Sequence, residues 1–198
     1  MSTRDRILDA ALTSFGTRGF ESTSLDDLAA DLGIRKQSIL YYFASKDVLL
    51  GAVVDRTIAE LGGVLEAALL RGERGWPRIE EVVRAVFRLA SRQPAFLGLL
   101  REVNRMGPEV ADELATRMGS LVSRAVHFLA ADMKAGLLRQ ADPRFTLFFV
   151  YSTVVGTATD PAARTAMGVP GGIAGLRQLR RELLGFLRAS LVVNPVTS

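Results

Sequence analysis

The sequence contains no cysteine and a single histidine, His127. The absence of cysteine excludes disulfides, thiolate zinc sites, thiol redox sensing and a cysteine nucleophile. With no second histidine, a metal site at His127 would depend on carboxylates alone. This histidine shares a side of its predicted helix with Ser120 and Arg124, away from the apolar stripe, so we interpret it as a surface residue. We therefore predict no metal and no cofactor.

Long hydrophobic runs are also missing. The most apolar window, FTLFFVYSTVVGTA at residues 145–158, is shorter than the roughly 20 residues that a membrane-spanning helix needs. The N-terminal stretch MSTRDRILDAAL mixes charges with aliphatic residues, unlike a signal peptide. The sequence therefore predicts a soluble, cytoplasmic protein in which residues 145–158 form a buried helix.

The first 50 residues lack an excess of positive charge, with six cations against seven acids, although the whole chain carries a net charge of +4. A non-specific architectural DNA-binding protein depends on diffuse cationic charge, which disfavours that function here. A small-molecule-binding helical enzyme is disfavoured too. The sequence shows no set of nucleophile, base and orienting residue, no phosphate-binding loop and no metal-ligand spacing. Both functions remain as alternatives, and the favoured prediction is a protein that is not an enzyme.

Apolar residues recur at intervals of three and four nearly throughout, which predicts an all-α chain of about nine helices. Ser24 is a suitable N-cap for a short second helix, and Gly33 ends that helix. A third helix covers about 35–42, and a long fourth helix follows Ser45 and reaches about Leu70. Further helices are predicted near 78–91, 94–106, 109–134, 144–158 and 173–192, with a loop at 160–172.

The second and third helices have the pattern of a helix-turn-helix. Ala29 is small where the two helices approach, Gly33 lies at the turn, and Ile39 anchors the third helix. A helical hairpin with a solvated polar face would share this spacing, but two adjacent exposed tyrosines favour DNA. The polar face suits a major groove because it combines cations, an amide, a hydroxyl and an aromatic ring; its members are Arg35, Lys36, Gln37, Ser38 and Tyr41.

Residues 6–53 resemble the N-terminal domain of TetR-type transcriptional regulators. The shared motifs, in order, are Gly19-Phe20, Thr23 and Ser24, Gly33-Ile34, Tyr42-Phe43 and Ser45-Lys46-Asp47. The resemblance implies a helix-turn-helix DNA-binding domain at 1–48 and a helical ligand-binding and dimerisation domain at 49–198. It also implies a dimeric regulator, usually a repressor, that a small molecule releases from a palindromic operator.

The resemblance also implies residue roles. It assigns phosphate contacts to Ser24, Tyr42 and Lys46. A cation such as Lys46 is unfavourable in the first turn of a helix unless an anion lies nearby, which supports its assignment. The family usually has tyrosine where this chain has Leu40, and a small residue where it has Gln37, so individual base contacts do not transfer. The full predicted DNA-binding set is Thr23, Ser24, Arg35, Lys36, Gln37, Ser38, Tyr41, Tyr42 and Lys46.

The C-terminal part carries two further predictions. Its last two long helices hold more apolar residues than a peripheral helix can hide, which favours a homodimer; the interface residues are Phe148, Tyr151, Leu176, Leu179, Leu183, Phe186 and Leu187. An unidentified, largely apolar effector is predicted to bind among Phe87, Phe96, Leu100, Val103, Asn104, Met106, Met118, Leu121, Phe128 and Phe149. An ordinary core is the alternative for these side chains, and Asn104 can bind either a ligand or a backbone carbonyl.

Overall fold

The computed structural model describes residues 1–105, 108–159 and 161–193, and every regular element in those ranges is a helix. The helices are α1 (Thr3–Thr17), α2 (Leu25–Leu32), α3 (Lys36–Tyr42), α4 (Lys46–Arg71), α5 (Trp76–Arg92), α6 (Pro94–Arg105), α7 (Pro108–Lys134), α8 (Pro143–Thr159), α9 (Pro161–Ala166) and α10 (Gly172–Leu191). They confirm the predicted all-α class.

The short helix α9 lies within the predicted loop 160–172 and was not expected. Its sequence, PAARTA, begins with a proline and contains three alanines. Proline is favourable at the first helical position and alanine has the highest helix propensity, so six residues suffice for a helix here. The Gly and Pro residues that follow it led to the prediction of a continuous loop.

Local side-chain chemistry sets the ends of the first two helices. Ser2 caps α1 and Ser24 caps α2, each in a capping box with an aspartate three residues later. Because the Ser24 hydroxyl and N–H both donate to Asp27, the pKa of the Asp27 carboxyl lies below its ordinary value. Gly33 ends α2 with φ of 65°, a left-handed conformation that favours glycine.

The chain forms two compact units, which divide the sequence differently from the predicted boundary at 48/49. The first unit contains Met1–Leu61 and Arg92–Arg117, and the second contains Gly62–Ser91 and the chain from Met118 onward. The difference has a physical cause, because α6 packs against α1 and so joins the unit that holds the first three helices. Helix α4 contributes residues to both units.

The core of the first unit brings α6 together with α1 to α4. Leu99 and Val103 of α6 lie in one buried cluster with residues from the N-terminal helices. Val103, which was predicted to line a ligand pocket, belongs to this cluster. The cluster consists of Ile7, Leu8, Ala11, Leu12, Phe15, Phe20, Leu28, Ala29, Ile39, Phe43, Leu49, Leu50, Val53, Leu99 and Val103.

The core of the second unit joins α5, α8 and α10. Leu183 and Leu187 of α10 are buried there against Val83 and Phe87 of α5 and Val154 of α8. The two leucines were predicted to form a dimer interface, but their own chain already covers them. Phe87 is likewise a core residue, which is the alternative that the sequence left open for the predicted pocket.

Helix α8 leaves three large aromatic side chains uncovered by its own chain. Phe145, Phe148 and Phe149 are exposed, at 61%, 59% and 62%. The window 145–158 is apolar on every side, so periodicity could not distinguish a helix covered all round from one covered on a single face. In the part of the chain that the structure describes, no helix combines the length and apolar character needed to cross a bilayer.

Candidate nucleic-acid interface

The turn between α2 and α3 fixes the orientation of α3. The N–H of Ile34 donates to the Ala29 carbonyl over 3.0 Å, which closes the C-terminal end of α2. The Arg6 guanidinium of α1 also donates to the Leu32 carbonyl over 3.2 Å. Ile39 of α3 is completely buried against the first unit's core, so one face of α3 is anchored and the other is displayed.

The displayed face of α3 carries the side chains that the sequence singled out. Arg35, Lys36 and Gln37 are exposed, and Ser38 is half-buried. Tyr41 is 81% exposed and Tyr42 is 41% exposed, with their rings in an edge-to-face pair whose centroids are 5.1 Å apart. Rings of this size gain nothing from exposure to water, so their position is typical of a binding surface.

The two cations at the start of α3 differ in their surroundings. Lys36 Nζ forms an exposed ion pair with Asp26 of α2, at 2.7 Å. Arg35 precedes α3 as its N-cap and makes no side-chain capping hydrogen bond. Among the described residues Arg35 has no ion-pair partner, so its full charge is available to a ligand. The charge of Lys36 is partly compensated by the neighbouring carboxylate.

Two of the predicted contacts are already engaged within the chain. The Thr23 hydroxyl is buried and donates to the Gly19 carbonyl over 2.9 Å, and the Thr23 N–H donates to Phe20. The structure therefore does not bring Thr23 to the exposed surface. Ser24 is exposed, but its hydroxyl serves the capping box of α2. The Ser24 hydroxyl therefore already has Asp27 as its hydrogen-bond partner.

Lys46 has an intramolecular partner that sequence reasoning missed. Its ammonium donates to the Phe20 carbonyl over 3.0 Å and lies 4.1 Å from the centroid of the Phe20 ring. These contacts explain how a cation is tolerated at the first residue of α4. Phe20 precedes Lys46 by 26 residues in the chain, and no local pattern connects the two.

Arg4 is a cation near α3 that sequence reasoning missed. It is exposed near the start of α1, and its guanidinium lies 5.4 Å from the centroid of the Phe43 ring. Phe43 directly follows α3, so Arg4 lies beside the end of the displayed helix. The only available signal was an arginine in an N-terminal turn, which is too common to indicate a site.

The residues predicted to line a ligand pocket are divided between the two units. Phe96, Leu100 and Val103 belong to the first unit, whereas Phe87, Met118, Leu121, Phe128 and Phe149 belong to the second. Phe149 is exposed and stacks on Phe145 with ring centroids 6.4 Å apart. Met106 and the side chain of Asn104 lie outside the described part of the structure.

Comparisons with known proteins agree with this geometry. Residues 7–53 match the family described as bacterial regulatory proteins, tetR family. The HTH-type transcriptional regulator RutR of Escherichia coli O157:H7 is 30% identical over 148 residues, covering 74% of this chain and 69% of that protein. The biofilm operon icaADBC HTH-type negative transcriptional regulator IcaR of Staphylococcus aureus (strain Newman) is 44% identical over 43 residues, covering 22% of this chain and 23% of that protein.

A solved structure matches along most of the chain. The transcriptional regulator FadR of Bacillus subtilis, in complex with stearoyl-CoA, superposes with a TM-score of 0.79 at 16% identity, covering 92% of this chain and 96% of that one. At this level of identity the likeness shows the fold alone. The family and these relatives are transcriptional regulators, which confirms the prediction that the protein is not an enzyme.

Proposed function

We propose that this chain, which belongs to the tetR family of bacterial regulatory proteins, is a dimeric repressor that binds a palindromic operator through α3 and releases it when a small molecule binds. Membership of the family makes the chain a DNA-binding transcriptional regulator. Repression is the family's usual role, and the name of the relative IcaR describes a negative regulator. Because its proposed target is DNA, we place its action in the cytoplasm.

The displayed face of α3 is the observation that carries the DNA-binding part of this proposal. Arg35, Gln37 and Tyr41 are exposed, while Ile39 on the opposite side holds the helix to the core. Arginine can pair with guanine, glutamine with adenine, and an aromatic ring can contact a thymine methyl group or the backbone. Tyr42 and Lys46 follow at the end of α3 and the start of α4. Phosphate contacts from these two residues would fix the position of α3 along the DNA.

Selection of bound fragments from a pool of random duplex DNA tests this part. A two-fold symmetric dimer should enrich a palindrome whose half-sites place the two α3 helices about 34 Å apart, or at a related multiple. Enrichment of single half-sites would contradict the dimeric arrangement. Uniform recovery of the pool would instead favour an architectural protein that binds DNA without sequence preference.

An exposed aromatic surface supports the proposed homodimer. We define this aromatic surface as Phe145, Phe148, Phe149 and Tyr151 of α8 together with Phe186 of α10, all of them exposed. A monomer rarely leaves so many large apolar side chains in water, and a second copy could cover them as two helices from each chain. Leu176 and Leu179 are half-buried and can contribute at the margin.

Charge substitution within the aromatic surface tests the dimer. Phe148→Glu and Phe186→Glu should convert the protein to monomers in light scattering, because each places a carboxylate in an apolar interface. Both side chains are exposed in the single chain, so neither substitution should disturb its core. Leu70→Glu is the matched control, since Leu70 is 84% exposed on α4 outside this surface. A wild-type protein that is monomeric at micromolar concentration would exclude the dimer.

The second unit offers one polar group for an otherwise apolar effector. The Arg78 guanidinium lies 5.1 Å from the centroid of the Phe128 ring, which was predicted to line the pocket. The buried Arg78 Nε has no acceptor among the described residues. An oxygen atom of a ligand could accept from it, because buried donors are rarely left unpaired. We therefore propose an effector with an apolar body and a hydrogen-bond acceptor.

A panel of fatty acids and acyl-CoA thioesters, including stearoyl-CoA, tests the effector class. A panel member that binds should raise the melting temperature of the protein and lower its affinity for DNA. Bound DNA should in turn lower the affinity for that ligand by the same factor. Arg78→Lys keeps the positive charge beside Asp132 but removes Nε, so it should reduce the melting shift. If a ligand raises the melting temperatures of wild type and Arg78→Lys by the same amount, it does not bind through Arg78 Nε.

A further inference from the structure

We propose that Glu102 of α6 is a positioning residue for DNA binding, because it fixes Phe20 and Phe20 in turn fixes Lys46. The inference rests on the proposed function, in which Lys46 contacts a phosphate. Glu102 lies 82 residues beyond Phe20 in the chain and outside the segment that matches the family, residues 7–53. All three residues belong to the first unit.

The first step of this connection is a hydrogen bond to the turn between α1 and α2. A carboxylate oxygen of Glu102, Oε1, accepts from the Phe20 N–H over 2.8 Å. Gly19 adopts φ of 93° beside it, and a Cβ there would lie 3.2 Å from the same oxygen. Glycine at this position therefore permits both the left-handed turn and the close approach of the carboxylate. A hydrogen bond to a charged acceptor is among the stronger kinds in proteins.

The second step is the pair of contacts between Phe20 and Lys46. The Phe20 carbonyl accepts from Lys46 Nζ, and the Phe20 ring lies beneath the ammonium. The ring is itself held, since it is buried and packs edge-to-face on Phe15 with centroids 5.3 Å apart. An ammonium has three hydrogens, so a phosphate oxygen can accept one that Phe20 does not use. Phe20 thus fixes the position of the Lys46 ammonium and leaves it able to donate to a phosphate.

Helix α6 has little freedom to shift Glu102. A Cβ on Gly98 would lie 1.8 Å from the Gly16 carbonyl oxygen, and a Cβ on Gly16 would lie 2.2 Å from the Ala95 carbonyl oxygen. The backbones of α1 and α6 are therefore in direct contact one turn before Glu102. Any movement of α6 along α1 would displace the acceptor of the Phe20 N–H and change the position of Lys46.

A double-mutant cycle on a duplex recovered by the wild-type protein tests the proposal. Lys46→Ala should weaken binding roughly fivefold and reduce the slope of log affinity against log salt by about one, as expected for one lost phosphate contact. Glu102→Ala should weaken binding by a similar or smaller factor and lower the slope in the same direction. In the Lys46→Ala background, Glu102→Ala should have no further effect.

Two further variants separate positioning from general damage to the fold. Glu102→Gln retains an oxygen that can accept from the Phe20 N–H. Its affinity for DNA should therefore lie within about twofold of wild type, a smaller change than the loss of the whole hydrogen bond would cause. Arg101→Ala is the matched control, because Arg101 is the exposed neighbour of Glu102 on α6. It should leave both the affinity and the salt slope unchanged.

The possible results are distinguishable. If the effects of Glu102→Ala and Lys46→Ala add, or if Glu102→Gln binds as weakly as Glu102→Ala, Glu102 does not act through Lys46. If Lys46→Ala and Arg35→Ala both leave binding intact, both the proposed reading of DNA by this surface and the role of Glu102 are wrong. If those two weaken binding and Glu102→Ala does not, only the present inference is overturned.

Discussion

Gly98→Ala should destabilise the first unit because of the backbone contact between α1 and α6. The new methyl group would lie 1.8 Å from the Gly16 carbonyl oxygen and 2.6 Å from its carbon, so rotation of a side chain cannot relieve the overlap. Overpacking of a tight core costs about 1 to 3 kcal/mol, and a clash with backbone belongs at the upper end. Alanine regains about 1 kcal/mol of helix propensity over glycine, which leaves a net loss of about 2 kcal/mol.

A second glycine in a helix provides the control for this prediction. Gly63 of α4 has no atom within 4 Å of the position that a Cβ would occupy. Gly63→Ala should therefore stabilise the protein by about 0.5 to 1 kcal/mol, through propensity alone. Urea denaturation followed by circular dichroism measures the free energy of unfolding of each variant. If Gly98→Ala is as stable as Gly63→Ala, the close approach of α1 and α6 is not present in solution.

Three other changes test separate parts of the structure. Asp26→Asn should strengthen DNA binding several-fold at low salt in a fluorescence anisotropy titration, because it frees Lys36 from its 2.7 Å ion pair and removes a negative charge beside α3; unchanged or weaker binding would argue that Lys36 does not face DNA. Ser24→Ala should lower the free energy of unfolding by about 1 kcal/mol through loss of the α2 cap, and a loss below the error of urea denaturation would show that the cap is dispensable. Asp132→Ala should cost about 3 kcal/mol or more in the same assay, because the buried carboxylate accepts from Arg74, Gly75 and Arg78; a cost below 1 kcal/mol would mean that water replaces it there.

Local chemistry made the helix-turn-helix predictable. Ser24 and Gly33 act through atoms within a few residues of themselves, so the start and end of α2 could be read from the sequence and are confirmed. The burial of Ile39 follows from its place on a short amphipathic helix, and it too is confirmed. Tyr41 and Gln37 lie on the opposite face of the same short helix, so their exposure could be predicted without information about distant segments.

Contacts between distant segments were not predictable. Glu102 and Phe20 are 82 residues apart, and the close approach of α6 to α1 depends on Gly16 and Gly98, which lie far apart in the chain. The same limit affected the predicted dimer interface. Periodicity shows that α8 and α10 are rich in apolar residues, but it does not reveal which face their own chain covers. Leu183 and Leu187 proved to be core, whereas Phe148 and Phe186 are exposed.

The ratio of affinities for a selected duplex and a scrambled duplex of the same composition tests the central claim most directly. It should be measured at one salt concentration for wild type, Gln37→Ala and Lys46→Ala. A base contact is worth about 1 to 3 kcal/mol, so Gln37→Ala should lower the ratio about 5- to 150-fold and leave binding to the scrambled duplex nearly unchanged. Lys46→Ala should weaken both duplexes alike and preserve the ratio. If Gln37→Ala, Arg35→Ala and Tyr41→Ala all leave this ratio at the wild-type value, α3 does not read the DNA sequence.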